Sequence, residues 1–180
     1  MDDLARLVEL PTRPDALVPF IETSTTRVFL LALGTPAPPG TDALVEMPDG
    51  ARVAYAPRAP GGPPAALAID PMLRGNQFRP LHESPRALAA LLSLAASRRL
   101  DTGPESERVF LFLRGPGLLS LENGDALRFG PGSVGVVPAG EPARLWAQGP
   151  EDVLAVAFQP RAPPRPRRTL SGEIAKRRDV

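Results

Sequence analysis

The chain has 180 residues, 43% of them hydrophobic, with 24 prolines, 16 glycines, a single histidine and no cysteine. That is one domain's worth of chain with ample material for one core, and it excludes disulfides, thiolate metal sites and cysteine nucleophiles. The formal charge of +1 hides a division, because residues 1–160 carry 14 Arg against 18 acids (net −4) while residues 161–180 carry 7 Arg and Lys against 2 acids (net +5).

No run of about 18 apolar residues occurs, and the opening MDDLARLVEL is acidic where a secretory leader starts basic, so a cytoplasmic protein without membrane contact is expected. Asp2 and Asp3 can cap a short helix through Leu4, Leu7 and Val8 that Pro11 ends, which makes residues 1–25 an N-terminal arm. Thr25 to Leu33 is β-branched and apolar and reads as a strand. Residues 43–47 and 51–56 flank Pro48-Asp49-Gly50, a hairpin with its turn chemistry in place. Residues 65–70 and 74–79 read as further extended pieces.

The pattern then changes. Ser84 as an N-cap, Pro85 at the first helical position and leucines at 88, 91, 92 and 94 predict a helix over 84–100, its apolar stripe lying against the outside of a sheet. From Val109 to Gln159, apolar runs of four to seven residues alternate with Gly, Pro, Asn and Asp, the pattern of short antiparallel strands. The sharpest turn is Glu122-Asn123-Gly124-Asp125. Residues 161–180 form a Pro/Arg-rich basic tail, polyproline-like at first and able to form a short basic helix at its end. About four strands before the helix and six after it predict a mainly β, double-sheet antiparallel jelly roll over 26–160.

The spacing in this stretch resembles the cupins, small jelly-roll barrels with two motifs. Gly132, the five residues to Val137, then Pro138-Ala139-Gly140 follow the second motif, G-x5-P-x-G-x2-H-x3-N, up to its histidine, where Ala143 stands; Ala147 replaces its asparagine. For the first motif, G-x5-H-x-H-x3,4-E-x6-G, two registers are open. In one, Arg108 takes the place of the metal-binding glutamate and Val109 to Arg114 lead into Gly115. In the other, Arg74-Gly75-Asn76-Gln77-Phe78-Arg79 resembles an R-G-N-H-x-H opening, with Gln77 and Arg79 replacing histidines, Glu83 at the acidic position and the helix as an insertion. The N-terminal strands would complete the barrel.

The resemblance implies a barrel interior bearing Arg108, Phe110 and Phe112 on one strand, Ala143 opposite, and Gln77 and Arg79 in the second register. It also implies that no metal and no cofactor is held, since three protein ligands are needed and His82 alone cannot supply them. Arginine in place of the glutamate would turn a cation site into one for carboxylate or phosphate; the plainer reading of Arg108 is an exposed or rim ion pair with Glu105 or a neighbouring strand. His82 reads as a loop residue, and Trp146, alternating with Ala143 and Leu145, as an outward residue packed under a helix or at a subunit interface. Three functions remain open: a metal-free module binding a small anionic molecule; a metal-free isomerase or epimerase on a sugar derivative; and a structural or dimerisation module with a filled barrel. A homodimer is expected. Nucleic acid is not, because the body is acidic and the basic tail lacks aromatics.

Overall fold

The structure, a computed structural model, describes residues 5–59, 61–122 and 124–161. Its elements are strands throughout: β1 (Arg6–Glu9), β2 (Ile21–Glu22), β3 (Thr26–Leu31), β4 (Ala43–Glu46), β5 (Arg52–Pro57), β6 (Ala65–Leu67), β7 (Gln77–Glu83), β8 (Ala87–Leu94), β9 (Arg99–Thr102), β10 (Arg108–Arg114), β11 (Gly117–Leu121), β12 (Ala126–Phe129), β13 (Ser133–Val137), β14 (Ala143–Ala147) and β15 (Val153–Pro160). Both expected helices are corrected. Residues 6–9 are strand, Asp2, Asp3 and Leu4 lie outside the described residues, and 87–94 is a long strand. Among the described residues no helix is long and apolar enough to cross a membrane. The basic tail beyond Arg161 also lies outside the description.

The strands form three sheets, ordered β1-β13-β10-β15-β8-β7, β12-β11-β14-β9 and β2-β3-β5-β4-β6. Two apolar clusters show how they stack. Phe110, Phe112, Leu92 and Ala155 of the six-stranded sheet pack with Leu119, Phe129 and Leu145 of the four-stranded one, which is the jelly-roll interior. From the opposite face, Val109, Leu111, Leu91 and Val156 pack with Val28, Val45, Val53 and Tyr55 of the five-stranded sheet. The N-terminal strands therefore cover the outside of the barrel as a third layer, and only β1 joins its wall, pairing Leu7 with Gly135 of β13. A Cβ on Gly135 would lie 3.3 Å from the Phe112 ring and 3.4 Å from Leu119, so the bare position lets those side chains close over the strand.

This layering explains the misread helix. A middle sheet buries both faces, so its strands lose polar alternation and become continuous apolar runs. Only Leu88 of β8 is less than fully buried. Ser84 does cap a chain turn, but that of a hairpin: its Oγ accepts from the backbone N–H of Arg86 (3.1 Å) and Ala87 (3.0 Å), while its own N–H donates to the Ala87 carbonyl (2.9 Å). Ser-Pro suits the first two positions of a β-turn as well as a helix start. Tertiary burial then overrides the helical preference of Ala and Leu.

Candidate functional site

One end of the jelly roll holds a cavity of about 230 Å³ whose lining includes Phe78, Leu88, Ala90, Leu92, Leu100 and Phe110, with Asp101, Thr102, Glu105, Ser106, Arg108 and Gln159 around it. Alternation builds its floor: Phe78 pairs with Leu92 and Pro80 with Ala90 across β7 and β8, and Ala90 with Ala157 across β8 and β15, so these side chains share the interior face. Phe110 and Phe112 stack at 6.1 Å, and Phe112 lies on Phe129 at 3.7 Å, which closes the barrel below the cavity. Phe110 belongs to the cavity wall; Phe112 is core.

Arg108 lies on this interior face, 8% exposed. Its Nη1 donates to the Gly103 carbonyl and its Nη2 to the Glu141 carbonyl (2.8 Å), while its Nε, also buried, has no partner. Among the described residues it has no carboxylate within ion-pair distance. Burial pulls the guanidinium below its ordinary range and the charge of Glu105 opposes that. A fork of two donors into two loops fixes the side chain rather than leaving it free to sweep the cavity. Ala143 is buried on β14, opposite Thr102, whose hydroxyl donates to the Ala143 carbonyl (2.9 Å). Around Arg108 and Ala143 the donor set does not fit a divalent ion, and among the described residues no group of three acids or histidines could hold one.

The second motif register is corrected. Gln77 pairs with Ser93 and Arg79 with Leu91, and Leu91 belongs to the outer cluster, so both side chains face away from the barrel while Phe78 between them faces in. Gln77 donates to the Arg74 carbonyl (2.7 Å), and Arg79 reaches Asp70 (3.3 Å) in the loop after β6. A bulge follows Pro80. Beyond it His82 also faces outward, its Nε2 lying 3.3 Å from Asp42. Glu83 binds Arg161. Trp146 does face outward, but what covers it is the Arg99 guanidinium, 4.7 Å from the ring centre, and not a helix. Of the wall residues, Leu88 and Leu92 were read as part of a helix stripe and Phe78 and Ala90 were not expected in the site; β8, buried on both faces, carries no alternation that would have marked them.

No family model matches the sequence, and no curated protein matches it. Among solved structures 228 chains match. An RmlC-like cupin family protein with a double-stranded β-helix fold from Methanocaldococcus jannaschii superposes with a TM-score of 0.50 at 12% identity, covering 57% of this chain and 95% of that one. TT1209 from Thermus thermophilus (21% identity, 48% and 84% covered, TM-score 0.43) and KdgF from a Halomonas species (20%, 48% and 79%, 0.42) are also similar. The chain has the cupin double-stranded β-helix fold, with an additional sheet on the outside of its barrel.

Proposed function

We propose that the protein is a metal-independent small-molecule-binding module whose barrel mouth takes a small ligand with an apolar body and one carboxylate or phosphate. The observation that carries this reading is Arg108: a nearly solvent-free guanidinium, held in place by two carbonyls, on the wall of a cavity and without an ion-pair partner among the described residues. A buried cation whose direct contacts are neutral carbonyls, with Glu105 acting only from beyond ion-pair distance, favours an incoming anion. Phe78, Leu92 and Phe110 offer the apolar surface for its body. At about 230 Å³ the cavity is smaller than the ~300–1,000 Å³ of ordinary ligand sites, so the ligand is small. Glu105 and Asp101 on the rim disfavour a multiply charged one.

Binding is favoured over sugar isomerisation because proton transfer needs a positioned acid or base with reach into the site. His82 faces the other layer, Asp101 is engaged with Arg144, and Glu105, the other acid of the lining, is exposed on the rim. The test is a thermal-stability screen of small organic acids and sugar phosphates on wild type, Arg108→Gln and the cavity-filling Ala157→Leu. A true ligand at 100 times its Kd adds about 2.7 kcal/mol to the wild type, and that gain should be absent from both variants. If no compound stabilises the wild type, or if Ala157→Leu responds fully, the filled-barrel reading replaces this one.

A further inference from the structure

A second cavity, about 870 Å³ and larger than the barrel mouth, opens between the outer sheet and the middle sheet. Its walls are apolar on both sides, Met47, Leu67 and Ile69 from the outer layer and Leu113 and Leu154 from the middle one. Leu67 and Leu154 are buried, whereas Met47, Ile69 and Leu113 are only partly buried.

Arg114, at the end of β10, also lines this cavity. Its guanidinium donates to the carbonyls of Pro71 (2.6 Å), Leu73 (2.8 Å) and Asp152 (3.3 Å). Arg74 donates to the same Pro71 and Leu73 carbonyls, both at 3.1 Å. Two guanidinium groups thus converge on one pair of acceptors, and neither has a carboxylate within ion-pair distance among the described residues. Asp152, which together with Glu151 acts on Arg114 through its charge, spends its two oxygens on the backbone N–H of Gly75 (2.6 Å) and Ala96 (3.1 Å). Glu46 stands exposed at the opposite rim. Like charges held together against neutral oxygens repel, and the arrangement is relieved by one anionic group that accepts from both.

From this juxtaposition we infer a second ligand site, distinct from the barrel mouth: the interlayer cavity takes an aliphatic monocarboxylate, its chain between Leu67, Ile69, Leu113 and Leu154 and its head at Arg114, reached also by Arg74, which stands outside the lining but shares the acceptors of Arg114. A volume in the ordinary range for ligand pockets suits a molecule of that size. The carboxylate supplies the direct charged acceptor that the two arginines lack, since Asp152 and Glu151 act on Arg114 only from beyond ion-pair distance, and the chain covers the half-exposed side chains.

The experiment is calorimetric titration of the full-length protein with decanoate and, as the uncharged control, decanol. Decanoate should bind saturably at one equivalent, and decanol on the order of tenfold more weakly or worse, the effect of losing a charge-assisted contact. Arg74→Gln, at an exposed position, and the double variant with Arg114→Gln should weaken decanoate by about tenfold or more, and Ala68→Trp, which fills the cavity, should remove binding. Should the double variant fail to fold, Arg74→Gln and the decanol comparison still decide. The inference falls if decanoate does not saturate, if decanol binds equally well, or if Arg74→Gln binds as the wild type does. It also falls if Ala157→Leu abolishes binding while Ala68→Trp keeps it, which would move the ligand to the barrel mouth.

Discussion

Arg86 and Asp42 meet at 3.4 Å across the boundary between the outer sheet and the barrel, with side chains only 8% and 6% exposed. Arg86 sits in the β7–β8 turn and also donates to the carbonyls of Gly40 (2.6 Å), Ala59 (2.8 Å) and Pro57 (3.1 Å), so one guanidinium ties together the β3–β4 loop and the β5–β6 connection of the outer layer. Asp42 in turn accepts from the Ser84 hydroxyl (3.0 Å) and faces His82. With the Tyr55 ring stacked on Phe158 at 4.7 Å, this node ties the third layer to the barrel.

Removing one partner of such a pair leaves an uncompensated buried charge. Arg86→Met should therefore cost about 3–5 kcal/mol, a drop of roughly 6–20 °C in Tm for a domain of this length. Arg86→Met combined with Asp42→Leu should recover part of the loss, because an apolar pair no longer buries a charge. Thermal denaturation of the three proteins decides it; a double variant no better than the single would show that the carbonyl contacts of Arg86 matter more than its charge pair.

The turn Gly115-Pro116-Gly117 carries a second stability prediction. Gly115 has φ of 78° and its missing Cβ would lie 2.7 Å from the Asp152 carbonyl; at Gly117 a Cβ would run into the Phe129 ring and the Trp146 carbonyl. Gly117→Ala should cost about 1–3 kcal/mol through overpacking, and Gly115→Ala more, since the positive φ adds strain. Urea unfolding should show a lowered midpoint with an unchanged slope.

The C-terminal strands were legible because their turns are written in Gly, Pro, Asn and Asp. The hairpin around Pro48-Asp49-Gly50 was legible for the same reason: Met47 donates to Ala51 (2.8 Å) and Gly50 takes φ of 84°. β8 was not legible, since a strand buried on both faces has no alternation to read and Ala87–Leu94 is, apart from Ser93, all Ala and Leu, which favour helix. The site was half visible. Arg108 follows from strand parity with Phe110 and Phe112, but Gln77 and Arg79 were placed by a motif spacing off by one residue in β7, and a slip of one reverses every side chain. The third layer was hidden because strands packing on a barrel's outside look like strands completing it. It also covers, within one chain, the outer apolar face of β8, where Ala87, Ala89 and Leu91 pack.

Asp152 should make stability pH-dependent. Its hydrogen bonds from Gly75 and Ala96 N–H favour the carboxylate, and the bond from Gly75 is the larger cause holding it below the usual range. A native value below the unfolded one, about 3.9, means the contribution is complete above that pH and fades as pH falls through the native value. The stability difference between wild type and Asp152→Asn should be present at pH 7 and shrink on acidification toward pH 3. Much of the group is open to solvent, so the difference should also narrow in high salt. A gap that widens in acid would contradict the assignment.

Arg108 is expected to hold the cavity's shape as well as to favour an anion. Besides its bonds to Gly103 and Glu141, the same two loops meet through the Gly140 N–H on the Pro104 carbonyl (2.8 Å), so the loops after β9 and β13 are tied twice. Arg108→Met removes the side-chain tie and leaves two carbonyls to find water. Each such orphan costs about 1–3 kcal/mol where water cannot reach it and less where it can. Hydrogen exchange separates local from global loss, because amides in a loosened loop open without the core. The Gly140 amide should exchange faster in Arg108→Met, while the amide of Leu111, in the fully buried middle of β10, should keep its protection after correction for global stability. Equal acceleration at both amides would mean that Arg108 stabilises the fold as a whole and does not shape the mouth.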